Sequence, residues 1–421
     1  MLIGAPIAHL ATWSISALAV LGVIVRPGKL PEALWATLGA AALVLFSLIS
    51  LPEAMAAILK GTDVYLFLVG MMLLAEVARQ EGLFDWLAAY AVRHARGSAG
   101  KLFALVYGVG IVVTVFLSND ATAVVLTPAV YAATQRARAP PLPYLYICAF
   151  IANAASFVLP ISNPANLVVY RAHMPPLGTW LEQFGIASLA SITLTYAVLR
   201  WTQRRALQGD IAREVDMPPL SAGGRLACGG IAATGVVLLI ASSLGLRLGL
   251  PTFIAGTVTA IAILAVKRSS PRPVLEEISW SVLPLVAGLF VLVEGVQNTG
   301  LLEPVKALLT RQPSAHAAAL ATGGIAAVLC NAMNNLPLGL LAGALVTGAQ
   351  LHPDVAGSLL IGVDVGPNLS VTGSLATILW LVALRREGLQ VSAWQFLAIG
   401  CLVMPPALIA ALASFLWLAV R

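Results

Sequence analysis

The sequence predicts an all-α polytopic membrane protein: about ten transmembrane helices and two re-entrant hairpins, with helices broken at the midplane, arranged as an inverted repeat. Three observations predict it. Only 10% of the 421 residues are charged and 59% are apolar, whereas a soluble domain carries about 25% charged residues. Stretches of 16 or more residues carry no charge, His9–Val25 and Ile278–Val293 among them, and runs of about this length suit a helix crossing the hydrocarbon core. The apolar runs are continuous rather than alternating, which excludes a β-barrel.

The elements follow in order. Met1–Val25 lacks a basic leader and a small-residue cleavage site, so it reads as a first span at 8–25 and not as a signal peptide. Further spans fall at 33–50 and 62–79. Residues 83–92 form an amphipathic piece with Phe84, Trp86, Leu87 and Tyr90 on its apolar side. A long apolar segment occupies 102–135, followed by spans at 144–172, 183–199, 226–246, 250–266 and 281–298. A second amphipathic piece covers 302–310, and apolar segments return at 315–350, 355–384 and 393–419.

Two segments are too long for one crossing, and each has a polar centre. Read as hairpins over 102–136 and 315–350, with the N-terminus outside, they put 18 of the 24 Lys and Arg residues on the cytoplasmic side. Lys101 and Arg136 then flank the first hairpin, as a hairpin entered from the cytoplasm requires. Single crossings would move the basic residues between the hairpins to the other side and weaken the bias. Both termini are therefore expected outside, away from the cytoplasm. The net charge of +6 is topological; there is no basic stripe with interleaved aromatics, so no nucleic acid is expected.

A repeat supports this layout. Leu74–Leu83 aligns with Leu292–Leu301 at a constant shift of 218, each after an apolar span and before an amphipathic piece and a long polar-centred segment. The expected directions are opposite, which makes the repeat inverted. The halves are 1–200 and 223–421, joined by an Arg-rich cytoplasmic linker at 201–222 that carries Pro218 and Pro219.

Each half has two polar interruptions at membrane depth. The first half has Ser118-Asn119-Asp120-Ala121-Thr122 and, inside 144–172, Pro160 to Asn166 with Ser162 and Asn163. The second has Asn331 to Pro337 with Asn334 and Asn335 and, inside 355–384, Asp364 to Ser374 with Asn368, Ser370 and Thr372. Proline removes a backbone donor and clashes with the preceding turn, and lipid offers the freed carbonyls nothing. Such breaks survive where they line a cavity and present helix ends and bare carbonyls to a small polar solute or ion. One Asn or Ser in a span is usually interhelical glue; four paired clusters are a site. Asp120 and Asp364 are the carboxylates of these breaks, and a carboxylate there can carry a proton. Glu76 and Glu294, at matching repeat positions, are candidates for relaying it or for capping the interface. Cys330, beside Asn331, is a possible thiol contact or simply a small buried hydrophobe.

Other chemistries are unsupported. Cys148, Cys228, Cys330 and Cys401 are scattered, with no disulfide framework and no metal-ligand spacing. No phosphate-cradling loop and no HExxH occur, so no cofactor, metal or enzymatic reaction is expected. The chain has no means of hydrolysing ATP; a gradient or a separate ATPase must drive it.

The motifs Met71–Glu76 (MMLLAE), Phe116–Val130 (FLSNDATAVVLTPAV), Cys148–Val169 (CAFIANAASFVLPISNPANLVV), Asn334–Pro337 (NNLP) and Gly362–Arg386 (GVDVGPNLSVTGSLATILWLVALRR) resemble the arsenical pump membrane proteins, bacterial efflux permeases of the ion transporter superfamily. The resemblance covers essentially the whole chain. It implies export of trivalent arsenic and antimony hydroxides, arsenite and antimonite, in exchange for protons, giving arsenical resistance. Some relatives also work with a cytoplasmic arsenite-stimulated ATPase. A neutral polyhydroxylated solute fits many Asn and Ser groups and few charges. Sodium-coupled dicarboxylate carriers of the same superfamily place Ser-Asn-Thr at the corresponding turns; this chain has Ser-Asn-Asp at 118–120 and Ser-Asn-Pro at 162–164. A sodium–proton antiporter is the rival reading, and a membrane subunit dependent on an ATPase is another.

Overall fold

A computed structural model describes residues 5–212, 219–310, 314–349 and 351–419. Arg213, Arg311, Arg421, Pro218 and Gln350, which enter the charge, linker and hairpin readings above, lie outside them. The first half runs α1 (Ala5–Val25), α2 (Glu32–Leu45), α3 (Leu51–Lys60), α4 (Thr62–Gln80), α5 (Leu83–Ala95) and α6 (Ala99–Phe116), then α7 (Asn119–Ala121), a π-wound turn at Thr122–Leu126 and α8 (Thr127–Arg136). It continues with α9 (Leu142–Ala154), α10 (Pro164–Val169) and α11 (Leu177–Thr202). The second half runs α12 (Ala222–Ser243), α13 (Gly249–Lys267), α14 (Arg272–Glu277), α15 (Val282–Asn298), α16 (Leu302–Thr310), α17 (Ala315–Met333), α18 (Asn335–Ala349), α19 (Pro353–Val365), α20 (Leu375–Arg386) and α21 (Ala393–Ala419).

Eight of the described helical stretches are long and apolar enough to cross a membrane, or nine if α3 and α4, bent by 47° at Gly61, count as one span. The tally differs from ten because of geometry. α6 and α17 belong to the hairpins yet have span length, the broken spans at 142–169 and 353–386 fail as single helices, and α2, at 14 residues, is only about 21 Å long. The second span also ends earlier than residue 50. Ser47 turns left-handed (φ 55°), and Ser50 starts α3 with a capping box: its hydroxyl accepts from Glu53 N at 3.3 Å while Glu53 Oε2 accepts from Ser50 N at 2.9 Å. Those signals, with Pro52 in the first turn, outweigh the apolar continuity that suggested one run.

The first hairpin is visible in the backbone bonds at its base. Ile211 N donates to Gly97 O at 3.1 Å and Ala212 N donates to Ala137 O at 2.8 Å. The chain therefore leaves along α6 and returns along α8 to its starting place, where the linker ties both ends. At the second hairpin α18 returns to α16: a Cβ added to Gly348 would lie 3.1 Å from Lys306 Nζ.

Two glycines sit at close contacts between helices. Gly70 on α4 and Gly288 on α15 are 218 apart, the same shift. α4 lies on α13, where a Cβ on Gly70 would meet the Thr252 carbonyl carbon at 2.5 Å; α15 lies on α2, where a Cβ on Gly288 would meet the Ala36 carbonyl carbon at 2.7 Å. Small residues let backbones approach this closely where lipid gives no hydrophobic drive. α11 packs along α21, with Phe184 and Phe415 stacked at 5.4 Å.

Candidate functional site

The two broken spans interlock at the centre. After α9 the chain winds through a 3-10 turn at Pro160–Ser162, and Asn163 Oδ1 caps α10 by accepting from Ala165 N at 3.0 Å. Two prolines, Pro160 and Pro164, make this break unavoidable. Its loose carbonyls are met by side chains: Asn166 Nδ2 donates to Ser156 O at 2.8 Å and Leu159 O at 3.3 Å. Ser162 Oγ donates to Val115 O at 3.1 Å, satisfying a carbonyl at the end of α6. In the other half α19 passes into a 3-10 turn at Gly366–Leu369, and Ser374 caps α20 by accepting from Thr377 N at 3.1 Å. Asn368 Nδ2 donates to Phe150 O at 3.0 Å and its Oδ1 accepts from Asn153 Nδ2 at 3.0 Å, so each break completes the other.

Asp364 sits inside this knot and is fully buried. Its Oδ1 accepts from Asn163 Nδ2 at 2.7 Å, across the two halves. Its Oδ2 accepts nothing among the described residues; the nearby Ser156 hydroxyl donates instead to Asn153 O at 2.7 Å. Asp120 is half-buried and its carboxylate likewise accepts no hydrogen bond from a described residue; it faces a cavity of about 100 Å³ shared with Ser118, Met71, Glu76, Pro164 and Leu375. That volume holds several waters. Asn163 and Pro164 are adjacent, so one short segment holds Asp364 and lines the Asp120 cavity.

The hairpin tips differ. The first is held mainly by itself: Ser118 Oγ accepts from Ala121 N at 3.2 Å, Asn119 Oδ1 accepts from Asp120 N at 2.9 Å, and Thr122 shares a 2.8 Å hydroxyl bond with Thr114. The second is laced to the broken span. Asn331 Nδ2 donates to Gly366 O at 3.0 Å and its Oδ1 accepts from Ser370 Oγ at 2.7 Å, while Thr372 Oγ1 donates to Asn331 O at 2.8 Å. Asn334 Nδ2 donates to Thr372 O at 3.3 Å, and Asn335 N donates to Gly373 O at 2.8 Å.

The two glutamates do not behave as a pair. Glu76 lines the Asp120 cavity, yet accepts both forks of Arg79 (2.8 and 2.6 Å) and Gln80 Nε2 (2.7 Å). Glu294 is not brought to the centre; both its oxygens take Lys60 Nζ, at 2.7 and 2.8 Å, joining α15 to α3. The repeat position matches, but Lys60 has no counterpart beside Glu76. Cys330 is fully buried, donates to Ala327 O at 3.2 Å and lies outside the cavity. Asn153, Ser156, Thr114 and Thr377 are buried members of the network that sequence reasoning did not single out. Asn153 stands in the last turn of apolar α9, where no proline marks it.

A bundle of membrane-length helices whose two broken spans are bonded to each other beside a small cavity defines a multi-pass membrane transporter. The chain belongs to the citrate transporter family, whose pattern matches residues 17–367. It is 26% identical to an arsenical pump membrane protein of Escherichia coli K12 over 95% of this chain and 97% of that one. It is also 26% identical to an arsenical pump membrane protein of Yersinia enterocolitica over 82% of this chain and 84% of that one. An uncharacterised transporter of Mycobacterium tuberculosis is 25% identical over 94% and 95% of the two chains. Among solved structures, the YdaH transporter of Alcanivorax borkumensis shares the fold, with a TM-score of 0.54 at 17% identity over 87% of each chain.

Proposed function

We propose that this protein exports trivalent arsenic and antimony hydroxides from the cytoplasm in exchange for protons, conferring arsenical resistance. The observation that carries the proposal is the pairing of Asp364 with Asn163: a fully buried carboxylate, held by a neutral amide from the other half. No Lys, Arg or His joins this centre among its described hydrogen-bond partners. A tricarboxylate such as citrate needs cationic partners and would face two carboxylates instead. A small uncharged hydroxide needs donors and acceptors: Ser118 lines the cavity beside Asp120, and Asn119, Thr122, Ser162, Asn163, Asn166, Asn331, Asn334, Asn335, Asn368, Ser370 and Thr372, bonded within the breaks in this state, would exchange those bonds for the solute as the site opens.

In this reading Asp120 and Asp364 carry the coupling proton, and Glu76 gives the cavity a polar rim. The halves 1–200 and 223–421 form an inverted repeat about the linker, with both termini periplasmic, and the hairpins and broken spans alternate access by an elevator or rocking motion. The relatives named arsenical pump membrane proteins support the substrate class. The test is metalloid exchange in everted vesicles and metalloid-dependent proton flux from purified protein in liposomes. Asp120→Asn should insert normally and lose proton-coupled exchange; normal exchange in that variant sinks the proton role. Flux from the purified chain alone separates this reading from dependence on an ATPase, and sodium-driven pH change without metalloid would favour a sodium–proton antiporter.

A further inference from the structure

The base of the first hairpin gathers positive charge that no carboxylate among the described residues neutralises by an ion pair. Ile211 N and Ala212 N bond Gly97 O and Ala137 O, residues 98 and 210 form a backbone bridge, and Arg200 Nη1 donates to Gly100 O at 3.2 Å. These ties bring the two ends of the hairpin, the end of α11 and the linker to one place. Arg96, Lys101, Arg136, Arg138, Arg200 and Arg204 are exposed there. None of the six forms an ion pair with a described carboxylate. Among the described residues, the carboxylates nearby are Asp210, Asp85 and Glu81. Asp210 is part of the bridge. Asp85 and Glu81 face Arg136 across a recess of about 320 Å³, and Glu81 is taken by Lys267 at 2.7 Å.

Aromatic residues fix the depth of this patch. Trp201, 55% exposed at the end of the membrane-length α11, carries the Arg204 guanidinium 4.7 Å over its ring. Trp86, which lines the recess, stacks on Tyr90 at 5.4 Å along amphipathic α5. Trp and Tyr favour the headgroup level, where one side of the ring is apolar and the other wet. Five of the six cations are arginines, whose planar fork matches the phosphate oxygens.

We propose that the base of the first hairpin binds the phosphate headgroup of an anionic lipid, tethering both hairpin ends and the linker to the membrane surface. A general inside-positive bias would spread cations over all loops; backbone hydrogen bonds concentrate these. The inference is independent of the substrate.

The full-length protein, purified in detergent, is titrated with phosphatidylglycerol, phosphatidylcholine or inorganic phosphate, and bound lipid is counted by native mass spectrometry. The wild type should retain phosphatidylglycerol over phosphatidylcholine. Arg138→Gln/Arg200→Gln/Arg204→Gln should need about 100-fold more phosphatidylglycerol, from the typical contribution of each basic residue near an anionic surface. A control with three other cations removed, Arg225→Gln/Arg268→Gln/Arg272→Gln, should bind as the wild type does. Equal loss in both triple variants, or no preference in the wild type, overturns the proposal. Displacement by inorganic phosphate makes the patch a free-anion site, and binding of polyglutamate without lipid makes it a protein dock; either overturns it too. If the triple variant does not fold, the wild type decides: its lipid preference must vanish in 1 M salt, where the Debye length is about 3 Å, and persistence there overturns the tether.

Discussion

Asn163 does two jobs that can be separated. Its Nδ2 donates to Asp364 at 2.7 Å and its Oδ1 caps α10 at 3.0 Å, both in buried surroundings. A hydrogen bond to a charged group contributes about 1.5–3 kcal/mol, and one between neutral groups about 1 kcal/mol. An N-cap contributes about 0.5–2 kcal/mol. Asn163→Ala removes both and should cost about 2–5 kcal/mol. Asn163→Ser keeps a capping oxygen but cannot reach Asp364, so its cost should fall to about 1.5–3 kcal/mol. Asp364→Asn keeps an acceptor for Asn163 while removing the charge, so on that background the Asn163→Ser loss should shrink to about 1 kcal/mol. The assay is unfolding of purified protein followed by intrinsic fluorescence, with all four members of the cycle compared in one detergent. Equal Asn163→Ser losses on the two backgrounds would refute a charged bond between the halves. Equal losses for Asn163→Ala and Asn163→Ser would refute the cap.

Other outcomes follow from the same geometry. Gly366→Ala would put a Cβ 2.5 Å from Ala327 O and 2.7 Å from Cys330 Sγ, costing about 1–3 kcal/mol by overpacking; Cys330→Ala should not rescue it, because the backbone clash stays. Thr114→Val removes the bond to Thr122, which retains its 3.3 Å bond to Ser118 O, so the loss in unfolding should be about 1 kcal/mol. Asn331→Ala unlaces the second hairpin and should lower both stability and transport, whereas Asn119→Ala, losing one local bond, should lower transport with little change in melting. Glu294→Gln breaks a partly exposed pair with Lys60, a loss of about 0.2–1 kcal/mol, and should leave metalloid exchange near wild type.

The fold was legible in the sequence to the extent that apolar length and proline carry it. α16 and α21 have the bounds expected from hydropathy, 302–310 and 393–419. The breaks were legible because Pro160, Pro164 and Pro367 cannot continue a helix. α3 was missed because its start depends on Ser50 and Glu53, a polar signal within an apolar run. Asp120 and Asp364 stood out because a carboxylate among apolar residues is costly. Which residues meet was not legible. Asn153 and Asn368 are 215 apart in sequence, and nothing local tells an Asn that completes another helix from one that faces lipid-side packing. Nor could spacing say that Glu294 would find Lys60 while Glu76 found Arg79.

Two breaks in each half could by themselves form two separate sites. What makes one centre is the crossing of bonds: Asn163 of the first half holds Asp364 of the second, and Asn368 of the second is held by Asn153 and Phe150 of the first. A charge-assisted bond is roughly twice as strong as a neutral one. A proton arriving at Asp364 therefore weakens a tie between the two broken spans, while the two Asn368 bonds keep their strength. The second hairpin stays laced to its break through Asn331, Asn334 and Asn335, whereas among the described residues the first is tied to its own half's break by the Ser162–Val115 bond at the end of α6. Loosening at Asp364 is thus released toward the Asn163–Pro164 segment, which lines the Asp120 cavity. On the proposed reading, a proton taken up at this crossing bond changes the contacts of both halves at once.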